Sequence, residues 1–102
     1  MAWQPRPLAV LEGDIGLSEY EMDDVTQRWW NMIKVPPTKW RCSPMGDLGG
    51  GFWVVGILGE RCLYYNDIEA GYNWSSFHEV GTIDEYHSNQ SSLNSAIASL
   101  PL

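Results

Sequence analysis

The sequence predicts a small α+β domain in which a mainly antiparallel β-sheet, a meander near residues 52–80, packs with one or two helices. Three observations predict it. Phe52-Trp53-Val54-Val55-Gly56-Ile57-Leu58 is a β-rich apolar run that returns through Gly59-Glu60 into Arg61–Tyr65. Met22, Val25, Trp29 and Met32 stand three and four apart, as on one helical face. Leu93, Ala96, Ile97 and Leu100 repeat that spacing at the C-terminus, without the alternating strand–helix units of a parallel sheet.

From the N-terminus, Pro7-Leu8-Ala9-Val10-Leu11 is a short apolar run closed by Glu12-Gly13-Asp14, which suits a strand ending in a turn. Ser18-Glu19-Tyr20-Glu21 matches a capping box opening a helix over residues 19–34. Acidic residues lead that segment and Arg28 and Lys34 follow, the order a helix dipole favours. Pro36-Pro37 ends it. Trp29-Trp30 and nearby β-branched residues make a strand through Val25 to Val35 the competing reading. Residues 36–51 carry three prolines and four glycines, predicting an irregular connection with a short strand around Trp40 to Cys42. Gly59-Glu60 suits a two-residue hairpin turn. Asn66–Gly71 is a second turn, and Tyr72 to Val80 a third strand. The last helix is introduced by Ser88 or Asn89, stopped by Pro101, and expected to lie on the sheet.

Length and composition bound the function. The 102 residues, 44% hydrophobic and 19% charged, suit one domain over 1–102 that folds instead of staying disordered. Six Lys and Arg against 13 Asp and Glu leave a formal charge of −7, the wrong sign for a polyanion, so nucleic acid is not an expected partner. The first residues lack the pattern of a signal peptide and no apolar stretch approaches a membrane span, so the expectation is a cytoplasmic protein with no membrane association. Cys42 and Cys62 share no short redox or zinc motif and are read as reduced, a structural disulfide being the alternative.

Catalytic patterns are sparse. Gly49-Gly50-Gly51 lacks the spacing and lysine of a phosphate loop and precedes a strand. His78 and His87 are nine residues apart, outside the spacing that places two ligands on one helix face, so no metal or other cofactor is expected. Ser75 or Ser76 with His87 and Asp84 makes a triad only on paper, without a nucleophile elbow. Asp67 with Glu69 is a carboxylate pair of the kind general acid–base chemistry uses, and also what a solvated turn looks like.

Charge distribution is more informative. All six basic residues fall within positions 1–61, whereas residues 62–102 contain five carboxylates and no Lys or Arg. A second acidic cluster runs from Glu19 to Asp24. One reading is charge that simply keeps the protein dispersed. The other is an acidic binding face on which Asp67, Glu69, Glu79, Asp84 and Glu85 steer a basic partner while Tyr72 and Trp74 supply aromatic anchors.

Tyr64-Tyr65-Asn66-Asp67-Ile68-Glu69-Ala70-Gly71-Tyr72-Asn73 and Asp84-Glu85-Tyr86-His87-Ser88-Asn89-Gln90 give residues 52–100 a resemblance to the small acidic immunity proteins of bacterial polymorphic toxin and contact-dependent inhibition systems. The resemblance implies a non-enzymatic protein, monomeric or weakly dimeric, that neutralises a cognate basic toxin domain, often a nuclease. It would cover the toxin's active site with carboxylates standing in for phosphate. The alternative expectation is a small enzyme or ligand-binding domain with its pocket between the loops at 46–51 and 66–71.

Overall fold

The computed structural model describes residues 4–100 and has the α+β architecture expected, with three α-helices and a four-stranded antiparallel sheet in the order β1-β2-β3-β4. The strands are β1 (Lys34–Trp40), β2 (Phe52–Leu58), β3 (Arg61–Asn66) and β4 (Gly71–Ser76). The central hairpin stands as expected, with Leu58 opposite Arg61 and Gly59 at φ 59°, the positive φ that primed hairpin turns require. β3 and β4 pair in unbroken register from Arg61↔Ser76 to Asn66↔Gly71.

The N-terminal half departs from expectation. The run at Pro7 to Leu11 is the start of a helix, α1 (Leu8–Glu21), because Leu11 and Ile15, one helical turn apart, bury together against the core. Tertiary burial outweighs the turn signal of Glu12-Gly13-Asp14, and Gly13 and Gly16 stay helical. Ser18 therefore lies inside α1 and caps nothing. The expected helix over 19–34 is split at Met22, whose backbone is extended. Asp23 then caps α2 (Asp24–Ile33), its carboxylate accepting the Thr26 N–H at 2.7 Å. That backbone donor, followed by the Thr26 side chain, holds the Asp23 carboxyl below the usual range.

The helical reading of this stretch is correct for 24–33, but its buried residues are Trp30 and Ile33, while Val25 and Met32 are 63% and 75% exposed. Ile33 packs onto β2 beside Gly56, where a Cβ would meet the Ile33 carbonyl at 3.4 Å, an ordinary contact distance. Pro36-Pro37 ends the helical stretch yet lies within β1, and the irregular connection shrinks to 41–51 with one 3₁₀ turn at Asp47–Gly49. Prolines are tolerated there because β1 is an edge strand and the missing N–H groups cost no ladder bond.

Each face of the sheet has its own core. On one face, Val55, Leu63, Tyr65 and Tyr72 pack against Leu11, Ile15, Trp30, Ile33 and the third helix, α3 (Leu93–Ala98). On the other, Trp40, Cys42, Phe52, Val54, Cys62, Tyr64 and Ile83 form a second cluster. A bulge between Val54 and Gly56 preserves this division. By adding one residue it sends Ile57 to the second cluster and Leu58 to the first.

Among the described residues no helix covers the second core; the irregular segment 81–91 does. It begins beside Arg41, whose N–H donates to the Gly81 carbonyl and whose carbonyl accepts from Ile83 N–H, both at 2.8 Å. It ends on the free edge of β4, where Tyr72 N–H donates to the Ser91 carbonyl at 2.9 Å. Between them, buried side chains of the sheet satisfy its backbone. The Tyr64 hydroxyl accepts from His87 N–H at 2.7 Å, Asn66 donates to the His87 carbonyl at 2.8 Å, and Asn73 brackets Asn89 through both its amide oxygen and nitrogen. The requirement for this strap explains why β4 stops at Ser76 instead of Val80: residues 77–80 turn the chain back across the sheet. α3 starts at Leu93, capped by Ser92 rather than Ser88 or Asn89, because those residues belong to the strap. It buries Leu93, Ala96 and Ile97 as the spacing predicts. Pro101, the expected helix stop, lies outside the described residues.

Two glycines test this arrangement. A Cβ on Gly71 would stand 2.1 Å from the Asn89 carbonyl oxygen. Gly71→Ala is therefore expected to push the strap off β4 and cost on the order of 2 kcal/mol or more. Gly13 lies mid-helix in open space, so Gly13→Ala is expected to stabilise by about 0.5–1 kcal/mol. Denaturant unfolding of the two variants beside the parent reads both signs.

Candidate functional site

The seven residues expected to bind a partner divide into three groups. Asp67 and Glu69 occupy the β3–β4 turn, and Glu79, Asp84 and Glu85 lie beyond the other end of β4, so about 17–20 Å of strand separates the two acidic sets. Tyr72 and Trp74, two apart on β4, share the face turned to the helices. Tyr72 is 7% exposed, its ring 4.9 Å from that of Tyr65. Trp74 is half-buried and donates its indole N–H to the Ala96 carbonyl at 2.8 Å, fastening α3 to the sheet. Both aromatics are thus parts of the core.

Several of the carboxylates also hold the fold. Asp67 accepts the Arg6 backbone N–H at 2.7 Å. Arg6 itself pairs with Asp14, lies over the Tyr65 ring at 5.0 Å, and offers its carbonyl to the Trp53 indole at 2.9 Å. Glu85 accepts from both the N–H and the hydroxyl of Ser76, which keep its carboxyl below the ordinary range. Asp84 meets His78 Nδ1 at 2.6 Å. The Glu69 and Glu79 side chains have no such duty among the described residues; Glu79 is exposed in the 77–80 turn, beside the exposed Val80.

The chemical alternatives can be placed as well. Hydrogen bonds join Ser76 to Glu85 and Asp84 to His78, a different pairing from a Ser-His-Asp relay. Among the described residues, no group of three or more His, Cys, Asp or Glu is placed to hold a metal ion, and no helix is long and apolar enough to cross a membrane. The loops at 46–51 and 66–71 lie at one end of the sheet, since Trp53 pairs with Tyr65. Lys39 spans part of that end, donating to the Gly49 carbonyl at 2.7 Å while lying 4.9 Å from the centre of the Trp53 ring.

The surface that sequence reasoning missed lies on the helices. α1 is apolar on two faces: Leu11 and Ile15 point inward, and Val10, Leu17 and Tyr20 point away. Leu17 is 66% and Tyr20 90% exposed. The signal was present in the sequence, because residues 10, 17 and 20 fall opposite 11 and 15 on a helical wheel. Reading this stretch as a strand concealed it. On α2, Val25 and Met32, one helical repeat of seven apart, form a second outward stripe. Glu21 and Asp24 stand beside these side chains in the chain.

Cys42 and Cys62 are both free and buried in the second core. Burial, followed by the nearby charge of Asp84, pushes the Cys62 thiol up to about 12, and burial likewise raises Cys42. The Tyr64 and Tyr72 hydroxyls are also raised, again chiefly by burial. These groups stay neutral in the fold and ionise more easily in the unfolded chain. Their contribution to stability is complete below pH 9.0, the reference value for a thiol, and fades as pH rises towards 12. Unfolding midpoints measured between pH 7 and pH 12 are therefore expected to fall on the alkaline side. Iodoacetamide at pH 8 should leave both thiols unmodified until denaturant is added.

No protein-family model, no curated protein and no solved structure matches the chain. Its function is accordingly read from its own surface.

Proposed function

We propose that the protein is a non-enzymatic protein-binding module of the immunity type, acting in the bacterial cytoplasm, where it neutralises a basic toxin domain by covering that domain's active site. The observation that carries this reading is that large apolar side chains project from both helices of a strongly acidic chain, Leu17 and Tyr20 on α1 and Val25 and Met32 on α2. Isolated exposed apolar residues are ordinary; stripes of them along a helix face are characteristic of interaction surfaces. Burying a side chain of this size in an interface is worth roughly 1.5–3 kcal/mol, and tyrosine is among the residues most often found at the energetic centre of one.

The charge supplies selectivity. A net charge of −7 opposes self-association through these stripes and favours a basic partner, drawn in by the long-range field. The Glu69 and Glu79 carboxylates lie in surface turns and have no partner among the described residues, so they fit the steering role. Asp67, Asp84 and Glu85 combine that role with the internal contacts already described. Tyr72 and Trp74 act by keeping β4 and α3 in place beneath the surface.

The test is a pull-down from host lysate with the purified chain as bait, at low and moderate salt, followed by an activity assay on the retained protein. The expected result is one basic enzyme in stoichiometric amount, partly released by salt and inhibited when the chain is added back. Tyr20→Ala and Leu17→Ala should then speed dissociation, costing about 2 kcal/mol or more at a true anchor. Glu69→Lys with Glu79→Lys should slow association and flatten its salt dependence. Recovery of no basic enzyme, or of one whose activity the chain leaves intact, would overturn the reading.

A further inference from the structure

A cleft of about 400 Å³ opens between α1, the end of α2 and the start of β1. Two carboxylates line it, Glu12 and Glu19, which are seven residues apart on one face of α1. Glu19 is already engaged: it accepts the Trp30 indole N–H at 2.7 Å and lies 3.8 Å from the Lys34 ammonium. Glu12 is exposed and has no hydrogen-bond or ion-pair partner among the described residues. The cleft therefore contains one negative charge more than it balances. Its remaining lining is apolar, with Ile15 and Trp30 from the helical layer and Pro36 and Pro37 from the edge strand.

That lining selects the occupant. Pro36 and Pro37 have no N–H to offer, so a peptide backbone cannot extend the sheet along this part of β1. A side chain with an aliphatic stem and a cationic head fits: the stem covers prolines and isoleucine while the head meets the unpaired carboxylate. A planar guanidinium can engage the Glu12 carboxylate through two parallel donors, which a single ammonium cannot. We infer that this cleft is a receptor for an arginine side chain presented by the basic partner, with Glu12 as its recognition carboxylate, while Glu19 stays committed to Trp30 and Lys34. The source of the arginine rests on the proposed immunity role; the chemistry of the cleft does not.

The test uses the isotopically labelled chain alone, titrated with N-acetyl-argininamide and followed by NMR at the Trp30 indole N–H and the Lys34 amide. The expected result is a saturable shift of both signals, absent with the neutral citrulline analogue. Affinity should fall about tenfold in Glu12→Gln, the loss of one charge-assisted contact, and be unchanged in Glu21→Gln, an exposed carboxylate outside the cleft. Glu12 is exposed and unpartnered, so its replacement leaves the fold intact. No saturable shift, an equal shift with citrulline, or equal weakening by both variants would overturn the proposal, the last by showing only diffuse attraction to an acidic surface. Because no partner protein is present, failure here is separable from failure to capture a basic enzyme from lysate.

Discussion

The rest of the structure depends on one constraint: the sheet is apolar on both faces, and the helices of the described residues cover only one of them. Three helices cover the first core. The second is closed by segment 81–91, which has no repeating hydrogen-bond pattern of its own. Its side chains are mostly exposed apart from the buried Ile83, but the backbone groups it turns to the sheet still need partners. Tyr64, Asn66 and Asn73 supply them from within the sheet, and Ser75 accepts the Glu85 N–H in the same way at 2.8 Å. The polar side chains gain as much as the strap does, since buried hydroxyls and amides left unpaired would each be costly. The apolar cluster and the polar pins therefore form a single device, and the close approach at Gly71 is where it meets the edge of β4.

The same strap solves a second problem. The outer edges of a four-stranded sheet are templates for unwanted pairing. On β4 the strap pairs with Tyr72 and closes the edge, while on β1 two prolines remove donors and Arg41 is paired with 81–83. Arg6 performs a comparable service for the N-terminal segment, tying it at once to β2, to the β3–β4 turn and to α1. These are polar contacts of modest individual strength. Their value lies in fixing how α1 sits on the sheet, and so which of its faces looks outward.

That placement connects architecture to function. With Leu11 and Ile15 turned in, Val10, Leu17 and Tyr20 are turned out, and Glu12 and Glu19 are brought to the flank where α1 meets β1. An apolar stripe, a mouth with surplus negative charge and a strongly acidic chain are features suited to holding a basic protein. The carboxylates of the strap add field at a distance, although Asp84 and Glu85 are also bound into local hydrogen bonds. Charge that serves the fold remains visible to a partner, so the two uses do not exclude one another.

Local pattern in the sequence determined the meander from Phe52 onward, the helical character of 24–33 and the buried positions of the last helix. There the hydrophobic period, the turn residues and the burial agree. It also determined the overall acidity. Tertiary structure alone decided the rest. Leu8 to Leu11 became helix because Leu11 and Ile15 find a common core, a contact outside any local window. The apolar spacing of Val25 and Met32 reads as a buried face, yet Trp30, bonded to Glu19, and Ile33, packed into the first core, hold that position. Tyr72 and Trp74 look like surface anchors among carboxylates, but alternation along β4 turns both towards the helices. The Glu12–Glu19 cleft joins α1 to the start of β1, which are more than twelve residues apart at their closest ends. The period of a sequence states which residues share a face; only packing against the rest of the chain states whether that face is inside.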